Sequence, residues 1–79
     1  MNKWWWLSYA DVEGGFLGVV IIIGRDFYDA CSNSSLLGLS PRGEVRGCEI
    51  TGKAEMIIGI HDVCRILTKD EAQALADII

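Results

Sequence analysis

One histidine, three cysteines and three consecutive tryptophans are the side chains with the most chemistry to offer in this chain. His61 stands beside Asp62 and three residues before Cys64, and a thiol near an imidazole is a nucleophile-and-base combination. Groups so close on one short segment meet usefully only on a helix, so His61 reads as a structural or exposed imidazole and no catalytic residue is expected. The same trio lacks a fourth ligand at metal-site spacing. Cys31, Cys48 and Cys64 are odd in number and contain no CxxC pair, unlike a secreted disulfide scaffold or a zinc site; they read as reduced, cytosolic and mostly buried. No GxGxxG, P-loop or GxSxG element occurs, and Gly14-Gly15 precedes a strand rather than a helix. The chain therefore reads as a non-enzymatic protein with neither cofactor nor metal.

Trp4, Trp5 and Trp6 cannot all be core in a sheet with one buried face, so at least one is expected to meet a partner. In the plainer reading Trp4 and Trp6 pack under a helix or the tail while Trp5 lies in a dimer interface. In the sharper one an exposed indole stacks on a base or another planar group, with Arg25, Arg42 and Arg46 as phosphate-binding cations. The plain reading of those arginines is solvated surface charge. Backbone N–H groups of Ser40 to Gly43 add a weak anion-nest signal.

The elements that must position these groups follow from length, charge and periodicity. With 79 residues the chain is expected to be one domain, 1–79, or part of an obligate oligomer. A chain this size buries only about 60% of its unfolded surface. Yet 51% of its residues are apolar and mean hydropathy is +0.28, an excess that points to self-association or a bound partner. A net charge of −4 and a pI near 4.7 have the wrong sign for duplex nucleic acid. Lys3 leads into tryptophans and then Ser8, Tyr9 and Asp11, which is not a signal peptide. Phe16–Gly24 is far shorter than the roughly 20 residues of a membrane helix. The expected setting is cytoplasmic, with no membrane partner.

Residues 3–10 are aromatic and extended in character, Asp11–Gly15 supply turn chemistry and Phe16–Gly24 is β-branched, which predicts a hairpin. Alternation sets Trp4 and Trp6 against Trp5, Leu7 and Tyr9; on the second strand it sets Phe16, Val20 and Ile22 against Leu17, Val19, Ile21 and Ile23. Both faces are apolar, so something must cover the sheet on each side. Asp26 as N-cap and Gly38 as terminator bound a helix at about 27–37, with Phe27, Ala30, Cys31, Ser34 and Leu37 or Gly38 inward. Glu44–Ile50 predicts a third strand, bulged near Gly47 because Val45 and Ile50 are out of phase. A hairpin, a helical crossover and this strand give sheet order 2-1-3. Residues 54–67 are ambiguous between helix and strand. Thr68 and Glu71 form a capping box for a last helix at about 69–78, with Ala72, Leu75, Ile78 and Ile79 on one stripe.

The segments WWWLSYAD, FLGVVII, LGLSPRGEV and CRILTKDEAQAL resemble the pattern WWLSFAD, FLGV, LGINPGGEV and LLTKEEA of small uncharacterised phage and mobile-element proteins. Arg42 stands where that pattern has a second glycine, and residues 51–63 replace a stretch that typically contains proline. The resemblance implies an accessory role in a bacterial host, such as countering host defence.

The resulting expectation is an α+β fold: a three-stranded antiparallel sheet (β-β-α-β), one main helix and a short C-terminal helix, assembled as a homo-oligomer, most simply a dimer. Its expected function is to sequester a nucleotide-like signalling molecule at the oligomer interface through Trp4, Trp5, Trp6, Arg25, Arg42 and Arg46. The alternative is a protein-surface inhibitor or interaction module of the anti-CRISPR type. Its acidic groups Asp11, Glu13, Glu44, Glu49, Asp70 and Glu71 would engage a basic host protein. Clustered arginines would favour the first reading and clustered carboxylates the second.

Overall fold

The computed structural model describes residues 2–78 and has an α+β fold of three layers. β1 (Lys3–Ala10) and β2 (Phe16–Gly24) form the hairpin, closed by an Asp11 carboxylate that accepts from the N–H groups of Glu13 and Gly15 at 2.9 and 2.7 Å. α1 (Phe27–Leu36) crosses over to β3 (Glu44–Ile50). A short α2 (Lys53–Ile57), a two-residue β4 (Ile66–Leu67) and α3 (Lys69–Ile78) complete the chain. The sheet is antiparallel, with order β3-β1-β2-β4.

The expected 2-1-3 arrangement is present, but the sheet has four strands rather than three. Residues 54–67, ambiguous in sequence, divide between α2, a run of turns and β4, whose Ile66 and Leu67 pair with Val20 and Val19. β3 carries no bulge at Gly47: its register against β1 is unbroken from Trp4↔Ile50 to Ala10↔Glu44. The irregularity lies in β2 instead, where Tyr9 pairs with Gly18 and Ala10 with Phe16. One extra residue inverts the facing of everything beyond it, so Phe16 shares a cleft with Trp6 and Val19 rather than the face of Val20 and Ile22.

Each face of the sheet is covered. Leu7, Tyr9, Val20 and Ile22 pack against Ala30 of α1, with Trp5, Phe27, Cys31, Leu39 and Val45 at the margin. Val19, Ile21, Ile50 and Leu67 pack against Ala72 and Leu75 of α3, joined by Trp4, Trp6, Ala54, Ile58 and Val63. α1 approaches so closely that a Cβ at Gly24 would fall 2.6 Å from the Ala30 nitrogen. A Cβ at Gly47 would fall 2.7 Å from the Phe27 ring. Small residues at these contacts let backbone and ring come together.

α1 starts as the sequence indicates, with the Asp26 carboxylate accepting from Asp29 N at 2.8 Å. It ends in a Schellman-type turn, where Gly38 at φ +72° donates to Ser35 O and Leu39 donates to Ser34 O. Leu37 is exposed, not inward. Ser34 is fully buried and satisfied: the Tyr9 hydroxyl donates to its Oγ at 3.0 Å, and that Oγ donates to Leu39 O at 3.0 Å. The capping box of α3 is reciprocal, Thr68 N donating to Glu71 Oε1 and Glu71 N to Thr68 Oγ1. Ile78 of the expected stripe is exposed, and Ile79 lies outside the described residues. The cysteines are not mostly buried: Cys48 and Cys64 are exposed and Cys31 is half-buried, because β3 is an edge strand and Cys64 sits in the turns before β4. No helix among the described residues is long and apolar enough to cross a membrane.

Candidate functional site

Alternation along β1 separates the tryptophans. Trp5 points toward α1, where it meets Phe27 edge-on at 6.5 Å and donates its indole N–H to Gly24 O at 3.0 Å. It fastens the start of α1 to the end of the hairpin. Trp4 and Trp6 point the other way, toward α2 and α3, and both stay half-buried because those helices are short.

Three clefts open along this second face. Trp4 lines one with Glu55, Ile58, Gly59, Ile60 and Val63. Trp6 lines two more, one toward β3 and one toward β2, which also share Ala76 of α3. The cleft toward β3 has a volume of about 360 Å³ and is mainly apolar, its walls including Cys48, Ile50 and Ala54. The cleft toward β2 has about 200 Å³ and adds a second aromatic ring, Phe16, with polar groups at Ser8, Lys69 and Gln73. An indole standing between two apolar clefts, with a cation at the rim, suits a flat molecule carrying an anionic group.

The three arginines expected beside the tryptophans are not gathered there. Arg25 follows β2 at the end of the sheet where Lys3 pairs with Gly24; its Nε lies 3.5 Å from Asp29 Oδ2. Asp29 also accepts from Arg25 N, and that hydrogen bond holds its carboxyl below the usual carboxylate range. Arg46 sits level with Ser8, about 17 Å further along the sheet by strand rise, on the face of Trp4 and Trp6. Arg42 lies exposed in the loop before β3 with a left-handed backbone, φ +71°. Of the six residues singled out in the sequence, Trp4, Trp6 and Arg46 share a face, while Trp5 is on the other. The cation at the Trp6 clefts is Lys69, which sequence reasoning missed along with Phe16 and Gln73. Lys69 follows the capping Thr68, and the start of a helix packed on a sheet was the one signal that could have drawn attention to it.

Carboxylates gather more than arginines do. Asp11, Glu13 and Glu44 line a polar cleft of about 510 Å³ at the hairpin tip, with Arg46 as its single cation. Glu49 pairs with Lys3 at 2.9 Å, and Glu71 pairs with Arg65. The Arg65 guanidinium, with the backbone N–H of Thr68, holds the Glu71 carboxyl at a pKa of about 2. Its outward charge is therefore committed to α3.

His61 and Cys64 lie exposed in the turns before β4, where Cys64 N donates to Ile21 O at 2.9 Å and His61 O accepts from Arg65 Nε. No cluster of three potential metal ligands occurs among the described residues. The chain matches no protein-family model, no curated protein and no solved structure.

Proposed function

We propose that this protein is a non-catalytic binding protein that sequesters a small planar anionic molecule, nucleotide-like in chemistry, at a homodimer interface. The observation that carries this reading is the Trp6 indole, half-buried between two clefts and flanked by Phe16 and Lys69. A ring held this way offers both edges of its surroundings to a flat ligand, and the Lys69 ammonium supplies a counter-charge for a phosphate. Sequestration needs affinity and enclosure but no reacting group. The setting is the bacterial cytoplasm, and the role is counter-defence encoded by a phage or mobile element, as the resemblance of WWWLSYAD and LGLSPRGEV to such proteins implies.

Native mass spectrometry of gently purified protein, followed by calorimetric titration with purine mono- and dinucleotides, tests this. Trp6→Ala should weaken binding about 5- to 150-fold, the range for loss of one aromatic stacking partner. Lys69→Ala should weaken it too, while circular dichroism stays native. Unchanged affinity in both variants overturns the site, and failure of every nucleotide probe overturns the ligand class.

A second reading is favoured by the grouping of Asp11, Glu13 and Glu44 at the hairpin tip, around a Val12 that is 89% exposed. An apolar tip rimmed by carboxylates suits a basic protein surface, and the protein would then be an inhibitor or interaction module. Reversal of Glu13 to lysine together with Val12→Ser, with loss of partner capture but retained nucleotide binding, separates the two.

A further inference from the structure

We infer that β3 pairs antiparallel with β3 of a second copy about a two-fold axis at Val45. The inference rests on the homodimer reading above and adds its surface and register.

β3 is the long open edge of the sheet. Among the described residues its backbone makes no hydrogen bond outside the sheet ladder, and its other neighbour in the sheet order is absent. Proteins usually guard such an edge with lysine, proline or a bulge. The segment EVRGCEI has no lysine, proline or bulge and its register on β1 is regular throughout; its charges, Glu44, Arg46 and Glu49, guard the edge against any strand that does not match them.

The charges along β3 select one register. In an antiparallel pair related by a two-fold axis normal to the sheet, directly opposed residues share a face, so the axis passes through a residue. Centred on Glu44, Arg46 or Glu49, the pairing sets that charge against its own copy. Centred on Gly47, it opposes Val45 to Glu49; centred on Cys48, it opposes Arg46 to Ile50; centred on Ile50, it sets Glu49 against Thr51 and leaves Glu44 and Arg46 with no strand residue opposite. Centred on Val45, it opposes Val45 to Val45 and Glu44 to Arg46 twice, on the same face. Opposite charges directly across a strand pair attract, and like charges there repel.

The pairing is confined to Glu44, Val45 and Arg46, because the backbone turns left-handed at Arg42 and Gly43, where a Cβ at Gly43 would collide with Ala10 O of β1, so the chain leaves the open edge there. The cleft toward β3 has no cation of its own. The two Trp6 clefts come to lie on one face of a continuous eight-stranded sheet. Arg46, engaged with Glu44 across the edge, acts in assembly rather than on the ligand.

Sedimentation equilibrium of four proteins tests the pairing: wild type, Glu44→Arg, Arg46→Glu and the double exchange. These are exposed positions, so the variants should keep native circular dichroism. Wild type should be a dimer at tens of micromolar, and each single reversal should weaken dimerisation about tenfold or more by opposing like charges twice. The double exchange should restore it. A monomeric wild type, or a double exchange no better than the singles, overturns the inference. As an independent check, Val45→Cys in a Cys48→Ser background should form an intermolecular disulfide with oxidised glutathione, since directly opposed strand residues lie within bridging distance. Wild type cross-linking through Cys48 would instead assign the Cys48 register and refute this one. Trp6→Ala reports on the cleft without touching the edge, so failure of the pairing and failure of the ligand reading are separable.

Discussion

The buried chain of hydrogen bonds from Tyr9 through Ser34 to Leu39 ties β1 to α1 and to the turn that ends it, and its loss should be strongly asymmetric. Tyr9 is 3% exposed and Ser34 is 0% exposed, so neither hydroxyl has ready access to water. Tyr9→Phe removes one neutral hydrogen bond, while Ser34 keeps its bond to Leu39 O; the cost should be about 1 kcal/mol. Ser34→Ala removes both bonds and orphans the Tyr9 hydroxyl inside the core as well as the Leu39 carbonyl. At about 1–3 kcal/mol for each orphaned group, reduced by roughly 0.5 for the better helix propensity of alanine and by the partial exposure of Leu39, the cost should be about 2–3 kcal/mol. The double variant has no orphaned tyrosine hydroxyl, so it should be less destabilised than the sum of the singles by about 1 kcal/mol. For a chain whose total stability is on the order of 4–12 kcal/mol, such differences move Tm by about 4–8 °C per kcal/mol. Urea unfolding followed by tryptophan fluorescence measures all four proteins. Equal costs for the two single variants, or strict additivity in the double, would refute the bonded chain. Because these residues lie on the α1 face, none of the variants should alter binding at Trp6.

The Glu71 carboxyl, held at about 2 against an ordinary 4.5, contributes stability that is fully present above about pH 4.5 and is lost as pH falls toward 2. The acid-unfolding midpoint of Glu71→Gln should accordingly lie above that of wild type, and the two curves should converge near pH 2. Gly24→Ala should destabilise by about 1–3 kcal/mol in urea, since the added methyl collides with the Ala30 backbone rather than with a side chain that can turn away. Native protein should react with Ellman's reagent at Cys48 and Cys64 well before Cys31, whose thiol is half-covered and pushed up in pKa by burial. Uniform rates at all three thiols would contradict the packing of α1.

The amino-acid sequence by itself determined the elements whose signals are local. Asp26 and Gly38 mark α1 because capping and left-handed termination are decided within a few residues, and Thr68 with Glu71 marks α3 for the same reason. The apolar residues on both faces of β2, with the β-branched run Val19–Ile23, announced that both faces are covered, and strict alternation in β1 separated Trp5 from Trp4 and Trp6 correctly. Only the tertiary structure decided the rest. β4 is two residues long and has no periodicity to read; it is a strand because Val19 and Val20 offer it an edge. The bulge opposite Tyr9 and Ala10 carries Phe16 to the Trp6 face, and a one-residue insertion in pairing leaves no trace in alternation read from one strand alone. Lys69 and Arg46 belong to elements 23 residues apart in the numbering, and which of them reaches the indole depends on how α3 crosses the sheet. Chain-local energies fix where helices and strands begin and end; which charges share a cleft follows from long-range packing, and the sequence specifies that packing without displaying it.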